Sequence, residues 1–292
     1  MELLQLKYFC TVAKFENITR AAAEHMIPQP AMSKTISKLE RELQVKLFDR
    51  RGNRLVLTDT GKRFYQYLER GLFLISDAVK MAQDQEHAES TEIRLLLNTN
   101  RNIVLKFISD FTKRNSCANF FIDHNQNIES AVHEPPHLCI SASPIRPEYD
   151  KSVPLLKERL LIAVYRNHRF AQYSEIPLDE LSQERFILLS ARFRMHRLFI
   201  EYCNANGMNP NVCMYCSDPS YVRYAVEQEL GISAMPEYSW GDVIGDNTVL
   251  VPLKEETIYQ THRILWDSTR YVPKMVKLFR NELIEHYRER FS

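Results

Sequence analysis

Along the first 60 residues, apolar positions recur at helical spacing. Leu6, Phe9, Cys10 and Ala13 fall at i, i+3, i+4 and i+7, one face of a first helix. A break follows at Phe15 to Ile18, with Asn17 and Thr19 as candidate caps. Ala21-Ala22-Ala23 predicts a second helix over about Thr19 to Met26 that lets a neighbour approach closely. Ile27-Pro28 predicts a turn, because proline suits a helix start. Met32, Ile36, Leu39 and Leu43 are spaced four, three and four apart and predict the buried face of a third helix, about Gln29 to Leu43. Gln29, Ser33, Lys34, Ser37, Lys38 and Arg41 fall outside that stripe and are left to face solvent or a partner.

The pattern then changes. Leu47-Phe48 and Leu55-Val56-Leu57 flank Arg50-Arg51-Gly52-Asn53-Arg54, which predicts a β-hairpin with a Gly-Asn turn and arginines at its tip. Such a wing is suited to phosphates or a minor groove. From Thr58 to Glu86 the residues Phe64, Leu68, Leu72, Ile75, Val79 and Ala82 follow the near-3.5 period of a two-helix seam. A helix of roughly 29 residues, about 43 Å long, must bury that stripe against its own body or against the same helix of a second subunit. The heptad spacing favours the second subunit.

His87 to Thr91 reads as a linker. Beyond it, short apolar runs alternate with helical segments. The runs are Ile93–Leu97, Phe120–Ile122, Leu138–Ile140, Leu160–Val164, Phe186–Leu189, Ile232–Ala234, Val249–Val251 and Ile264–Trp266. Helical faces appear at Val104/Phe107/Ile108/Phe111, at Met195/Leu198/Phe199/Tyr202, at Val222/Ala225/Val226 and in a last helix of about Pro273 to Arg290. Strands alternating with helices predict an α/β architecture with a mainly parallel, buried sheet.

Composition narrows the function. The net charge is +1, but residues 1–63 hold 12 Lys/Arg against 7 Asp/Glu, while the remainder holds 26 against 30. A basic N-terminal module on an acidic body suits nucleic-acid contact at one end. The start of the chain lacks a basic region followed by a long apolar run, and no stretch approaches the ~18 apolar residues of a membrane helix; the protein is expected in the cytoplasm. Its six cysteines should then be reduced. Cys213-Met-Tyr-Cys216 has no second CxxC or His pair to complete a zinc site and falls in an expected strand, so core or surface cysteine is favoured over metal or redox chemistry. GxGxxG, P-loop, HExxH and GxSxG motifs are absent, and the nine histidines form no ligand-spaced pair. The sequence therefore predicts no enzyme activity, no cofactor and no metal.

Five blocks carry a specific resemblance: Leu6-Lys7-Tyr8-Phe9, Asn17-Ile18-Thr19-Arg20-Ala21-Ala22, Gln29 to Glu40, Leu47-Phe48-Asp49-Arg50 and Leu57-Thr58-Asp59-Thr60-Gly61. In this order and spacing they closely resemble the DNA-binding domain of LysR-type transcriptional regulators. The order of elements from Glu92 onward resembles the effector domain of the same family. The resemblance implies an α/β protein with an N-terminal winged helix-turn-helix plus a long linker helix, then a two-lobed, periplasmic-binding-protein-like effector domain. The implied boundaries are 1–58 for DNA binding, 59–91 for the linker helix and hinge, and 92–292 for the effector domain. Lobe one would take 92–160 and 267–292, and lobe two 161–266, with strands crossing near Leu160–Val164 and Ile264–Ser268.

The resemblance also implies partners and sites: double-stranded DNA, a small-molecule effector, a homodimer through the linker helix that doubles to a homotetramer, and RNA polymerase as a further candidate. The recognition helix places Gln29, Pro30, Ser33, Lys34, Ser37 and Lys38 toward DNA, and Arg54 sits in the wing. The effector is expected between the lobes, at strand C-termini and helix N-termini, where free amides suit an anion. The matching loops hold Asn98, Thr99 and Asn100, Ser141 and Ser143, Ser190 and Phe193, and Ser217 and Asp218. Three positions depart from the family pattern: Pro28 replaces a hydroxyl residue, Gln44 stands where glycine is usual at a helix end, and His137 replaces an acidic residue.

Overall fold

The computed structural model describes residues 1–51, 54–86, 91–124, 135–142, 149–240, 245–254 and 257–291. Gly52 and Asn53 of the expected turn, residues 87–90 of the expected linker, and Ser143 lie outside the described residues. The described residues divide into two compact units, one from Met1 through Glu86 and one from Thr91 onward.

In the first unit, α1 (Leu3–Phe15), α2 (Ile18–Glu24) and α3 (Gln29–Leu43) pack around Phe9, Val12, Ala21, Met32, Ile36 and Leu39, all buried. Asn17 caps α2 by accepting the Arg20 amide at 3.0 Å. The helix stops at Glu24, earlier than the expected Met26, because Met26 takes a left-handed φ of 55°. Pro28 gives α3 no side-chain cap, and Gln44 ends it at φ 56°. The hairpin β1 (Phe48–Arg51) and β2 (Arg54–Leu57) pairs antiparallel, Phe48 opposite Leu57. Then α4 runs from Asp59 to Glu86. Its first turn lies against the end of α3's connecting segment: the Leu47 carbonyl receives the Thr58 amide at 2.9 Å, and a Cβ on Gly61 would come within 2.1 Å of the Leu47 oxygen. That close approach is why Gly61 is glycine. Phe64 and Leu68 pack on the three-helix core, whereas Leu74, Ile75, Val79 and Met81 are exposed.

The second unit contains β3 (Glu92–Leu97), α5 (Arg101–Arg114), β4 (Asn119–Asp123), β5 (Leu138–Ser141), β6 (Lys151–Tyr165), β7 (Arg185–Leu189), α6 (Arg194–Ala205), β8 (Asn211–Cys216), α7 (Pro219–Glu227), β9 (Ser233–Pro236), β10 (Thr248–Val251), β11 (Tyr259–Trp266) and α8 (Lys274–Phe291). The larger sheet has the order β10-β6-β11-β5-β3-β4, with β9 also on β6; β7 and β8 pair separately. The expectation of a mainly parallel sheet is corrected here. Among the described strands, β3–β4, β3–β5 and β7–β8 pair parallel, while β6 pairs antiparallel with β9, β10 and β11, and β11 with β5. The cause is the long pair β6 and β11, by which the chain leaves one lobe and returns to it.

Each lobe has its own core. One gathers Ile93, Val104, Phe111, Leu138, Leu155, Leu156, Ile264 and Phe279, with Phe111 and Phe279 edge-on at 5.2 Å. The other gathers Leu160, Ile162, Phe170, Phe186, Phe199, Val222, Met235 and Ile258. The change from one core to the other thus falls between Leu156 and Leu160 on β6, and between Ile258 and Ile264 around β11. This is a few residues before the expected crossings at Leu160–Val164 and Ile264–Ser268. The N-terminal half of β6 contains Pro154, which cannot donate to a ladder, and the register with β11 shifts beside it, between His262 and Arg263.

Candidate nucleic-acid interface and interlobe junction

The face of α3 opposite its buried stripe is polar and open. Gln29, Pro30, Lys34, Ser37 and Lys38 are exposed and Ser33 is half-buried, whereas Met32, Ile36 and Leu39 anchor the helix. Lys38 has only a loose ion pair with Glu42, at 3.8 Å. Arg54 lies on β2, but its side chain is outside the described residues. Glu40, at the inner end of α3, ties the hairpin to the helix: it accepts the amides of Leu47 (2.8 Å) and Phe48 (3.2 Å) and pairs with Lys46 at 3.3 Å. Glu40 falls within a block that carries the family resemblance, but its tie to the hairpin depends on amides seven and eight residues away.

In the second unit, three loops chosen from the sequence come together. The loop after β3 carries Asn98, Thr99 and Asn100; Arg101, in the first turn of α5, pairs with Asp218 at 3.6 Å. Asp218 caps α7 by accepting the Ser220 amide at 2.9 Å and hydroxyl at 2.6 Å. Burial pushes the Asp218 carboxyl up, but the Ser220 hydrogen bonds and Arg101 outweigh it and hold it below the usual range. Arg192 donates to the Ser217 carbonyl at 2.6 Å, and the Ser190 amide to Cys216 at 2.8 Å, which joins the loop before α6 to the loop before α7. Phe193 is the N-cap residue of α6 and gives no side-chain cap. Ser141 ends β5 in a buried position, one residue from Ile140, whose carbonyl receives the Asn98 amide at 2.9 Å. Arg197 donates to the Ala191 and Arg192 carbonyls just before α6, a helix with no acidic residue in its first turn.

Between the lobes lies a buried constellation that the sequence reading passed over. The Glu158 carboxylate on β6 bonds the His262 Nε2 on β11, and both side chains are fully buried. Glu158 also accepts the amides of Tyr238 (2.9 Å) and Ser239 (2.8 Å), just past β9 in lobe two. The other ring nitrogen of His262 meets the Thr99 hydroxyl at 2.9 Å, in lobe one. Burial raises the Glu158 carboxyl, and His262 with Ser239 more than reverses this, leaving it below the ordinary glutamate value. Alongside, Arg159 forks onto Glu237 at 2.9 and 2.6 Å. The available signal was the period of two on β11: Gln260, His262 and Ile264 share one face, and that face is buried.

Cys139, Cys203 and Cys216 are buried, Cys10 is half-buried, and Cys117 and Cys213 are exposed. Burial raises the thiols of Cys10 and Cys203 to about 12, and Cys213 and Cys216 lie on β8. Among the described residues no group of three or more His, Cys, Asp or Glu could hold a metal ion. No helix among them is long and apolar enough to cross a membrane.

Residues 3–62 match a family profile described as a bacterial regulatory helix-turn-helix protein of the lysR family, and residues 87–288 one described as a LysR substrate binding domain. The chain is 27% identical to YybE, an uncharacterized HTH-type transcriptional regulator of Bacillus subtilis (strain 168), over 99% of this chain and all of that protein. It is 25% identical to GltC, a transcriptional dual regulator of the same organism, over 98% of each chain. Among solved structures, full-length OxyR of Pseudomonas aeruginosa superposes with a TM-score of 0.71 at 20% identity, covering 100% of this chain and 96% of that one. CbnR in complex with its target DNA gives 0.67 at 19%, covering 98% and 100%. These two likenesses establish the fold.

Proposed function

The chain belongs to the LysR family of DNA-binding transcriptional regulators with an effector-binding domain, and from that premise we propose that it reads operator DNA through the exposed face of α3 and answers to a small molecule held between the two lobes. The family is one of regulators and not of enzymes. The observation that carries the reading is the division of α3 into a buried stripe (Met32, Ile36, Leu39) and an exposed polar face (Gln29, Lys34, Ser37, Lys38). A helix anchored this way can lie in a major groove, where Gln29 can take an adenine edge and the lysines meet phosphates. Ser33, Pro30 and Arg54 complete the proposed contact set.

Two copies pair through α4. The exposed Leu74, Ile75, Val79 and Met81 support this, because an amphipathic helix of that length gains by covering its apolar stripe. Two such pairs assemble into a tetramer spanning adjacent sites. The effector favours one lobe geometry and so biases the spacing of the DNA-binding units and their contacts with RNA polymerase; this work belongs in the cytoplasm. The loops holding Asn98, Thr99, Asn100, Ser141, Ser190, Phe193, Ser217 and Asp218 are the proposed effector contacts, with Ser143 in the same expected set. The arginines at the start of α6 favour an anionic part in the effector.

The test is fluorescence anisotropy of the purified protein on its own upstream intergenic duplex and on a scrambled one, across salt concentrations. Tight, sequence-dependent binding that weakens with salt is expected. Unaltered affinity after Ser33→Ala with Lys34→Ala would sink the assignment of α3.

A further inference from the structure

The turn between α2 and α3 holds an apolar residue in a backbone conformation that disfavours it. As α2 closes, the Ile27 amide donates to the Ala22 carbonyl at 3.0 Å and the Met26 amide to the Ala23 carbonyl at 3.1 Å. That pair of bonds needs a left-handed residue after the helix, ordinarily glycine or asparagine. Met26 takes the place with φ 55°. Among the described non-glycine residues with positive φ, the other four, Glu16, Gln44, Asn100 and Glu229, are all polar. Met26 is also 94% exposed, more than any other large apolar side chain described. A single exposed apolar residue needs no explanation. One that is held in a strained conformation does, because such strain persists only where its surroundings impose it, and it collects at functional positions. Both neighbours of Met26 are anchored. His25 Nε2 lies 2.7 Å from the Thr11 hydroxyl on α1, and its ring lies 4.7 Å from that of Tyr8. Ile27 packs on the three-helix core. The turn therefore fixes Met26 with its side chain outward.

We propose that Met26 is a specificity-determining residue of the DNA-binding face, whose side chain covers the C5-methyl group of a thymine close to the base reached by Gln29. This rests on the reading of α3 as the helix that enters the major groove. Continuity carries the placement. Pro28, Gln29, Pro30 and Ala31 are all exposed, so the open surface of α3 runs back through its first turn toward Met26. The Pro28 carbonyl accepts the amides of Ala31 at 3.0 Å and Met32 at 3.2 Å, which makes the turn one piece with the helix. Three residues separate Met26 from Gln29, at most about 11 Å of chain, or roughly three base steps of 3.4 Å. Chemistry selects the contact. A thioether carries no charge and is only a weak acceptor, so it offers a phosphate nothing. The apolar feature of the major groove is the thymine methyl, and only a thymine presents it. An apolar side chain kept at this position at the expense of backbone strain therefore adds sequence preference, which glycine there would not.

Deoxyuridine differs from thymidine only by the missing methyl group, so a uracil scan tests this directly. Each thymine of the upstream intergenic duplex is replaced singly, and binding of the full-length wild-type and Met26→Gly proteins is measured by anisotropy. At one thymine in each bound half-site, the replacement should weaken wild type about fourfold, the worth of one buried methyl group, and leave Met26→Gly unchanged. Thymines contacted by other residues should respond equally in both proteins. The same scan with Met26→Asn should match Met26→Gly, since asparagine also accepts the left-handed conformation and lacks the apolar side chain. Equal responses of wild type and variant at every thymine overturn the proposal. Thermal melts give a second readout. Met26→Gly should melt at or above wild type, because the strain is relieved while the unfolded chain is freed. A melting temperature lowered by more than about 4 °C in both variants shows the side chain to be structural and overturns the proposal. The reading of α3 stands or falls separately. If Ser33→Ala with Lys34→Ala weakens binding but the uracil scan is the same for wild type and Met26→Gly, only the Met26 contact is lost. If the Ser33 and Lys34 changes leave binding unaltered, the reading of α3 fails and the Met26 contact with it.

Discussion

The Glu40 carboxylate on α3 accepts the backbone amide of Leu47 at 2.8 Å, with Phe48 donating to the same oxygen at 3.2 Å. Helix α3 and the hairpin are therefore joined by one side chain, and the hairpin cannot move without breaking bonds to a largely buried acid. Glu40→Ala strands two amides, at a cost of about 1–3 kcal/mol for the unsatisfied donors. Glu40→Gln keeps an acceptor and loses less. Denaturant unfolding of the three proteins should rank them wild type, Gln, Ala. Equal midpoints for wild type and Ala would show that the hairpin holds its place without Glu40.

Gln44 ends α3 with φ 56°, a conformation that L residues adopt at a cost of about 1–2 kcal/mol. Glycine removes the strain but frees the unfolded chain, so Gln44→Gly should gain only about 0.5–1 kcal/mol net. The reverse control is Gln44→Val, whose branched side chain fits the left-handed region worse and should destabilise. Thermal melts of both variants check the pair, and a destabilised glycine variant would refute the strain argument.

How much could be read beforehand depended on how local the cause was. Met32, Ile36 and Leu39 announced α3 because a helix writes its buried face at a spacing of three and four. The run Leu160–Val164 announced only half of β6. The other half carries Pro154, Lys157, Glu158 and Arg159, which read as loop or surface residues. They lie in a strand because β11 pairs with them from a hundred residues away, and that partner is not visible in any window of sequence. The same holds for the junction. Asn98, Thr99 and Asn100 were singled out because they follow a strand and precede a helix. Gln260 and His262 were passed over because polar residues in a strand ordinarily face water, and only the crossing of β6 and β11 buries them.

The Arg159–Glu237 fork makes stability depend on acidity in a definite direction. The Arg159 guanidinium holds the Glu237 carboxyl below its ordinary value near 4.5. A carboxyl with a lowered folded pKa contributes its stability above the unfolded value and loses it as pH falls through the folded one. The wild-type melting temperature should thus change little between about pH 7 and 5 and drop below about 4.5. Glu237→Gln should melt lower at neutral pH and converge with wild type as the acid limb is descended. Parallel curves for the two proteins would mean that other carboxylates carry the acid sensitivity, with Glu158 and Asp218 next to be tested, since both are also held low.

The proposed contacts on α3 separate into two kinds that a salt series can distinguish. Lys34 and Lys38 stand on the exposed face as flexible charges, and a lysine at a phosphate releases counterions without regard to sequence. Removing either should weaken binding to specific and scrambled duplexes alike and lower the slope of log affinity against log salt by roughly 0.9. Gln29 at the N-terminus of α3 is uncharged, so Gln29→Ala should leave that slope in place. It should instead cost about 1–3 kcal/mol on the specific duplex alone, because a bidentate contact to an adenine edge discriminates between bases. The two variants therefore move different quantities: Lys34→Ala the slope, and Gln29→Ala the ratio between duplexes. Should Gln29→Ala weaken both duplexes equally, Gln29 lies along the backbone, and sequence is read from Ser33 and the residues after it.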